Sequence, residues 1–175
     1  MIGPINAFEL AMPEMFQKGI CALVDIGFKN TVICLLQEGE LILSRVMAIG
    51  GDKITAGLAE SMGISYTEAE GIKMGMPAEV QASLEALVMP LGRELRASID
   101  FFEHQQDKHV SNVYVSGSSA QSEMIMKILE AELMIPCKAW NPLSALQLAL
   151  PPQQMAEVER VAHQLIVPVG IAVSI

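Results

Sequence analysis

The stretch of residues 21–55, CALVDIGFKNTVICLLQEGELILSRVMAIGGDKIT, decides the fold. It contains three apolar runs, residues 21–26, 31–36 and 41–49, separated by short segments that include glycine. Runs of this length, rich in Val, Ile and Leu and interrupted at glycine-containing pairs, are typical of strands joined by tight hairpins rather than of a helix. Glycine at the second turn position takes the positive φ that such a hairpin needs. The stretch therefore predicts a three-stranded antiparallel meander.

Asp25 is the one acidic residue in the first of these runs. Burying an unpaired carboxylate is costly, so an acid near the end of an apolar strand needs hydrogen-bond donors, a cation or water at the mouth of a cleft. The alternative is that Asp25 only caps the turn at residues 28–30. The residues alone leave both interpretations open.

Size and composition predict one domain with an unusually apolar surface. The chain has 175 residues, of which 51% are hydrophobic and only 18% charged, and its mean hydropathy is +0.40. We therefore expect apolar surface that serves a partner or other parts of the same protein. No stretch predicts direct membrane insertion, because the longest charge-free segment, residues 139–156, is interrupted by prolines. The net charge of −9 argues against nucleic acid and anionic headgroups as ligands.

The cysteines and histidines predict neither a disulfide nor a metal site. Cys21, Cys34 and Cys137 are odd in number, lack C-x-x-C spacing and stand in apolar runs. They are typical of buried free thiols in a reducing compartment. His104 and His109 are five residues apart, whereas a metal-binding pair on a helix is spaced by four.

Downstream of the meander, the apolar spacing predicts helices. The first runs from about residue 52 to residue 62, with Gly51 or Asp52 as its cap and Gly63 as its stop. Ser65-Tyr66-Thr67-Glu68 has the form of a capping box and starts a second short helix. After a break at residues 74–77, a long amphipathic helix reaches about residue 104, and Pro90 either kinks or restarts it.

The ends of the chain complete the predicted order of elements. Asn6 is predicted to cap a short helix over residues 8–11. A strand at 112–116 precedes small residues at 117–119 and a helix from about 120 to 134, an arrangement that suits an anion or nucleotide. A strand at 136–140 and a helix at 155–164 follow, with the lone Trp140 as a core or interface anchor. On periodicity alone, residues 166–175 form a strand.

Several motifs in this order resemble the second half of the actin-like ATPases. Within that superfamily the chain is most similar to the type IV pilus assembly protein PilM family, relatives of the cell-division protein FtsA. The resemblance implies an α/β fold, half of an actin-like, ribonuclease H-like ATPase domain, with a mixed sheet whose antiparallel meander is flanked by helices. The residues that carry it are Asp25, Ile26, Gly27, Thr31, Gly50, Gly51, Thr55, Ala69, Glu70 and Lys73.

The resemblance also implies a nucleotide site, with no catalytic or metal-ligating residue assigned. Asp25 and Gly27 would form a phosphate-binding loop, in which the glycine lets backbone amides approach a phosphate and the acid orients metal-bound water. The glycine pair at 50–51 would bring a helix start close to the phosphates, the 70/73 pair would lie near the ribose, and residues 117–119 would bind adenosine. The implied nucleotide-binding set is Asp25, Gly27, Thr31, Gly50, Gly51, Glu70, Lys73, Gly117, Ser118 and Ser119.

Purely structural interpretations of these residues are the alternatives to their roles in nucleotide binding. The glycine pair at 50–51 could be a packing turn, and Glu70 with Lys73 could be an exposed ion pair on one helical face. Ser118 stands where the family usually has a second glycine. Phe28 and Lys29 stand where it has small residues, and Lys29 either supplies charge to a phosphate or is a solvated turn residue.

In the family a first half, with the other wall of the cleft, precedes this segment. We therefore expect that Met1 opens a truncated chain or a natural half-protein. Residues 1–20 would link to the missing half, and residues 21–175 would form the second domain, with a reduced insertion at roughly 64–90. Residues 166–175 would then be a buried helix, in contrast to the strand that periodicity favours.

The function implied by the resemblance is a cytoplasmic scaffold of the type IV pilus, or type II secretion-like, inner-membrane assembly platform. ATP or ADP with Mg²⁺ would bind the full-length protein, whereas this chain would bind none tightly and hydrolyse none, since phosphoryl transfer needs both halves. A PilN-like bitopic membrane protein would bind through the first half and hold the protein at the inner membrane, and apolar surface could form a homodimer. The alternatives are an FtsA-like division filament protein or an ATP-dependent enzyme of the sugar kinase, Hsp70 and actin superfamily.

Overall fold

A computed structural model of the chain describes residues 2–75 and 80–174. The break predicted at residues 74–77 is wrong for Met74 and Gly75, which are helical, and its remainder lies outside the described residues. The predicted start of the long helix near residue 78 also lies outside them. Within them, no helix combines the length and the apolarity that a membrane span requires.

A five-stranded mixed sheet forms the centre of the molecule, in the strand order β3-β2-β1-β4-β5. The strands β1 (Ile20–Ile26), β2 (Thr31–Gln37) and β3 (Glu40–Met47) form an antiparallel meander, as the sequence predicts. β4 (Asn112–Ser116) lies parallel to β1, and β5 (Cys137–Ala139) lies parallel to β4. The central strands are apolar on both faces because helices cover both sides of the sheet.

Helices flank this sheet in two layers. They begin and end as follows: α1 Ile2–Ala11, α2 Pro13–Gln17, α3 Gly51–Met62, α4 Tyr66–Gly75, α5 Gln81–Gln106, α6 Glu123–Leu133, α7 Pro152–Arg160 and α8 Ile166–Ala172, with 3₁₀ turns at Ser118–Gln121 and Ala162–Gln164. α5 continues through Pro90, so the proline does not restart it.

Each face of the sheet has its own apolar core. Val24 and Ile33 point to one face, where they belong to the cluster that includes Leu95 of α5 and Leu129 of α6. On the opposite face the cluster includes Phe8 of α1 and Trp140, whose rings meet edge to face with centroids 5.2 Å apart. Alternation of side chains along each strand separates the two sets. Trp140 is therefore a core anchor, one of the two roles expected from the sequence.

Two predicted helices in the second half of the chain begin or end elsewhere than the sequence indicated. α6 begins at Glu123 rather than near residue 120, because the Ser122 hydroxyl accepts a hydrogen bond from the Ile125 amide and so caps the helix there. The predicted helix at 155–164 is instead α7 followed by a separate 3₁₀ turn.

The first and last helices cross in close contact. Asn6 lies inside α1 rather than at its cap, and its Nδ2 donates to the Gly170 carbonyl and to the Ser174 hydroxyl. A Cβ on Gly170 would overlap the Gly3 carbonyl, so the crossing needs glycine there. Residues 166–172 are helical, as the family resemblance implied, and the strand predicted from periodicity is wrong.

The three cysteines are free, but they are not equally buried. Cys21 and Cys34 lie in the core, and burial raises the pKa of each thiol to about 11. Cys137 is only half-buried on the edge strand β5, which corrects the expectation of a buried thiol, and burial together with the nearby Glu130 raises its pKa to about 12.

Candidate functional site

The carboxyl ends of the parallel strands β1 and β4 meet at one edge of the sheet, where α/β folds commonly bind ligands. The β1–β2 turn, the start of α3 and the segment after β4 gather at this edge. The Gly51 amide donates to the Gly27 carbonyl at 2.9 Å. A Cβ on Gly117 would overlap the Ile26 carbonyl, so the segment after β4 touches the end of β1 directly.

Asp25 is a half-buried acid at the end of β1, opposite Ser116 of β4. The Ser116 hydroxyl donates to Asp25 Oδ1 at 3.1 Å. Burial raises the pKa of the Asp25 carboxyl above its usual value of 3.8, and the hydrogen bond from Ser116 only opposes that rise. The following turn is closed by the Gly27 amide and the Asn30 carbonyl at 3.0 Å, so the interpretation of Asp25 as a turn cap is wrong.

Backbone contacts join the glycine pair to the hairpin. Gly50 is the N-cap of α3, one residue before the predicted cap, and a Cβ on it would overlap the Phe28 carbonyl. The Gly51 and Asp52 amides donate to the Gly27 and Phe28 carbonyls, each at 2.9 Å. The first two amides of α3 therefore fix the hairpin turn and are not open to an anion.

Thr31 is fully buried, and its hydroxyl donates to the Ile49 carbonyl at 2.6 Å. This bond ties the start of β2 to the segment that leads into α3. Thr31 therefore stabilises the turn from the interior of the protein and does not lie at the surface.

Lys73 lies under the surface between α3 and α4, with a side chain only 1% exposed. Its Nζ donates to Glu70 Oε2 at 2.7 Å and to Thr55 Oγ1 at 2.8 Å. The Glu70 side chain is 40% exposed, so one end of the pair reaches solvent while the ammonium does not. The interpretation as an exposed ion pair is therefore wrong for the lysine.

The segment after β4 begins with a glycine in a conformation that disfavours side chains. Gly117 has φ of 91° and starts the 3₁₀ turn, in which Ser118 is half-buried and Ser119 fully buried. The Ser119 hydroxyl has no hydrogen-bond partner among the described residues. A Cβ on Gly51 would lie 3.0 Å from that hydroxyl, so the two segments are in contact.

Sequence reasoning missed two serines of this site. Ser116 donates a hydrogen bond to Asp25. The sequence feature that could have identified it is a polar residue at the end of an apolar strand, the same feature that marks Asp25. Ser122 caps α6 and also donates to the Lys73 carbonyl at 2.8 Å, which ties α4 to the segment after β4. Nothing in the sequence around Ser122 indicates that second contact.

Few charged side chains interact with one another near the carboxyl ends of β1 and β4. Among residues 2–75 and 80–174, no group of three His, Cys, Asp or Glu side chains is arranged to hold a metal ion, and no salt bridge reaches Asp25. Phe28 is 62% exposed at the tip of the turn, and Lys29 beside it is exposed as well.

Several solved structures share this fold. A PilM-PilN type IV pilus biogenesis complex is similar with a TM-score of 0.79 and 21% identity, over 98% of this chain and 51% of that chain. The ethanolamine utilization protein EutJ from Carboxydothermus hydrogenoformans is similar with a TM-score of 0.68 and 20% identity, over 97% and 53%. MreB5 of Spiroplasma citri bound to ADP has a TM-score of 0.68 at 12% identity, over 98% and 57%.

These likenesses confirm the actin-like α/β fold, and the chain spans about half the length of the solved structures it matches. The cell division protein FtsA of Bacillus subtilis (strain 168) is 40% identical over 70 residues, which are 40% of this chain and 16% of FtsA. A family model described as type IV pilus assembly protein PilM matches residues 4–174. Since that match takes in almost every residue, the chain belongs to the type IV pilus assembly protein PilM family.

Proposed function

We propose that this chain is the second-domain half of a scaffold protein in the type IV pilus inner-membrane assembly platform. The match of the family model to residues 4–174 carries this proposal. By analogy with the relative solved as a PilM-PilN complex, the whole protein binds a PilN-like bitopic membrane protein through its first half and so works at the cytoplasmic face of the inner membrane.

The second part of the proposal is that the edge of the sheet around Asp25 is one wall of a nucleotide site. Its support is the meeting of the β1–β2 turn with the segment that starts at Gly117. The residues fit a metal-bound phosphate group, because Asp25 is a half-buried acid without a cationic partner among the described residues. Bound Mg²⁺ would supply that positive charge, and it is normally held by one or two carboxylates together with water and phosphates.

The geometry divides the remaining candidate residues by role. The open amides are those of the hairpin tip and of the turn after Gly117, since the first amides of α3 are already bonded. Glu70 presents an exposed carboxylate that could accept a hydrogen bond from a ribose hydroxyl. Thr31 and Lys73 are buried, so they hold the wall together from behind.

This wall alone supplies little catalysis. Phosphoryl transfer depends on positioning and charge stabilisation from both sides of the phosphates, and one side comes from the half outside this chain. We expect weak binding of MgADP and no turnover of MgATP by this chain. In domain terms, residues 21–175 act as the second domain with a small insertion at roughly 64–90, and residues 1–20 lead to the first half.

The FtsA match keeps a division filament protein as the second candidate. It spans 70 residues, whereas the PilM model spans residues 4–174, so the pilus assignment has the broader support.

Calorimetric titration with MgADP and a phosphate-release assay with MgATP test the nucleotide proposal. We expect weak heats that decrease in Asp25→Asn and persist in Asp107→Asn, a matched change of an exposed acid at the end of α5. Phosphate release should equal that of buffer. Heats that are the same in both variants, or turnover above buffer, would refute the proposal.

A further inference from the structure

β3 is an edge strand with little protection against pairing, since its one irregularity is a register shift that leaves Ile42 without a partner on β2. It is the last strand of the sheet order, and among residues 2–75 and 80–174 no other strand pairs with its outer edge. Its eight residues contain neither lysine nor proline, the residues that natural edge strands use to prevent association. Arg45 is its only cation, and its guanidinium donates inward to Glu94 at 2.5 Å and to Ser98 at 3.3 Å on α5.

The same strand exposes large apolar side chains. Leu41, Ile42 and Val46 are 45%, 39% and 55% exposed. Leu41 pairs with Leu36 and Val46 pairs with Val32, and both β2 residues contribute to the core on the α1 side of the sheet. The layer that covers β2 on this face thus ends before β3, which leaves an apolar strip beside an open backbone edge.

We propose that a second copy of this chain pairs with β3 in an antiparallel arrangement about a two-fold axis. Centred on Ser44, this pairing sets Leu41 of each copy opposite Val46 of the other, because the extra residue Ile42 in β3 shifts the register by one position and leaves Leu41 and Val46 on the same face. Both side chains point to the face of the sheet that carries α1, so the strip is complementary to itself. Two β-sheets would become one continuous sheet, which satisfies the open amides and carbonyls of both edges.

The charges at the two ends of β3 favour the antiparallel direction. Lys29 lies in the turn just before Thr31, which pairs with Met47 at the end of β3. Glu38 and Glu40 lie at the opposite end of the strand, in and after the β2–β3 turn. Antiparallel pairing brings Lys29 of each copy close to Glu38 and Glu40 of the other copy, so the contact between opposite charges forms twice in the dimer.

A parallel pairing would instead bring glutamates to glutamates and lysine to lysine. Because the chain carries a net charge of −9, association needs local opposite charges of this kind to offset the general repulsion. The second copy is therefore the occupant that the charges of this edge fit.

Sedimentation velocity over a range of protein concentrations tests the apolar part of the inference. We expect the wild-type chain to form dimers and Val46→Lys to raise the dimer Kd at least about tenfold, which corresponds to about 1.4 kcal/mol. The matched control Ile171→Lys, on the exposed face of α8, should leave the Kd unchanged. Circular dichroism and thermal unfolding establish that each variant folds.

Charge exchange tests the direction of pairing. Lys29→Glu and Glu40→Lys should each weaken the dimer, and the double variant should recover most of the affinity because the opposite charges meet again. Lys138→Glu on the far edge strand β5 is the matched control. A wild-type chain that stays monomeric at every concentration, equal effects of Val46→Lys and Ile171→Lys, or no recovery in the double variant would overturn the inference.

Discussion

The ammonium group of Lys73 depends on two oxygen atoms, one from Glu70 and one from Thr55. With the lysine side chain only 1% exposed, water cannot replace a lost partner. The Glu70 side chain is 40% exposed, so its carboxylate can return to water if the lysine is removed. The two ends of this one pair should therefore respond differently to mutation.

We predict that Glu70→Ala costs about 3 kcal/mol of unfolding free energy, because it leaves a buried charge without its counter-ion. Lys73→Met should cost only about 1 kcal/mol, since the remaining carboxylate is solvated and the methionine fills the space. Urea unfolding monitored by circular dichroism measures both, with Lys53→Met on the exposed side of α3 as the control. A larger loss in Lys73→Met than in Glu70→Ala would refute the asymmetry.

The raised pKa of Asp25 determines the direction in which the stability of the protein changes with pH. Its pKa is raised in the folded state, so the folded protein binds its proton more tightly than the unfolded chain does. The stabilisation that protonated Asp25 gives to the folded state is complete when the pH is below 3.8, the usual pKa of the carboxyl. This stabilisation is lost as the pH rises through the raised pKa of the folded state. Asp25→Asn should therefore be more stable than the wild type at pH 7, and its unfolding free energy should change less with pH above 3.8.

Thermal unfolding at a series of pH values from 4 to 7 checks this, with Asp107→Asn as the control for an exposed acid. Asparagine can still accept the hydrogen bond from Ser116, so packing should be preserved. A variant that becomes less stable than the wild type as the pH rises would contradict the argument.

At the scale of single residues, the sequence could indicate which side chains matter but not what surrounds them. An acid ending an apolar strand predicted a polar or charged setting for Asp25. Its partner Ser116 lies 91 positions along the chain, and only the parallel register of β1 and β4 brings the two together. The burial of Lys73 likewise follows from how α3 packs on α4, which helical spacing within α4 does not reveal.

Among the elements, the crossing of α1 and α8 depends on one glycine. A Cβ on Gly170 would overlap the backbone of Gly3, which cannot move as a flexible side chain would. By contrast, a Cβ on Gly71 of α4 would meet no atom within 4 Å. The two glycines are thus a matched pair of helical positions.

We predict that Gly170→Ala loses about 3 kcal/mol through overpacking, whereas Gly71→Ala gains up to about 1 kcal/mol through lower chain entropy and better helix propensity. Urea unfolding measures the stabilities. Fluorescence of Trp140, the only tryptophan, reports whether α1 shifts, because its ring packs on Phe8. Equal stabilities for the two variants would show that the crossing tolerates a larger residue.

The elements show where sequence patterns reach their limit. The meander and the capping box at Ser65 and Glu68 are local features, and both are present as predicted: the Ser65 amide donates to Glu68 Oε2 at 2.9 Å. The last ten residues are rich in β-branched side chains and favoured a strand by periodicity. Packing against α1 at the other end of the chain makes residues 166–172 helical instead, an influence of tertiary structure on local preference.

For the whole molecule, the sheet topology decides what can act together. The order β3-β2-β1-β4-β5 puts the ends of β1 and β4 side by side and leaves β3 at an open edge. The first arrangement creates the proposed nucleotide wall, and the second creates the proposed dimer surface. The family resemblance predicted the first from the order of motifs, whereas the second required the exposure of individual β3 residues.

The central claim is that the β1–β2 turn and the segment after β4 form one wall of a nucleotide site. Two-dimensional amide NMR of the isotope-labelled chain, titrated with MgADP, tests it most directly. The account predicts shifts at Gly27, Gly117 and Ser119 that follow one weak binding curve, with the amides of α1 and α8 unchanged. Shifts confined to other parts of the molecule, or separate binding curves for the turn and the segment after β4, would contradict it.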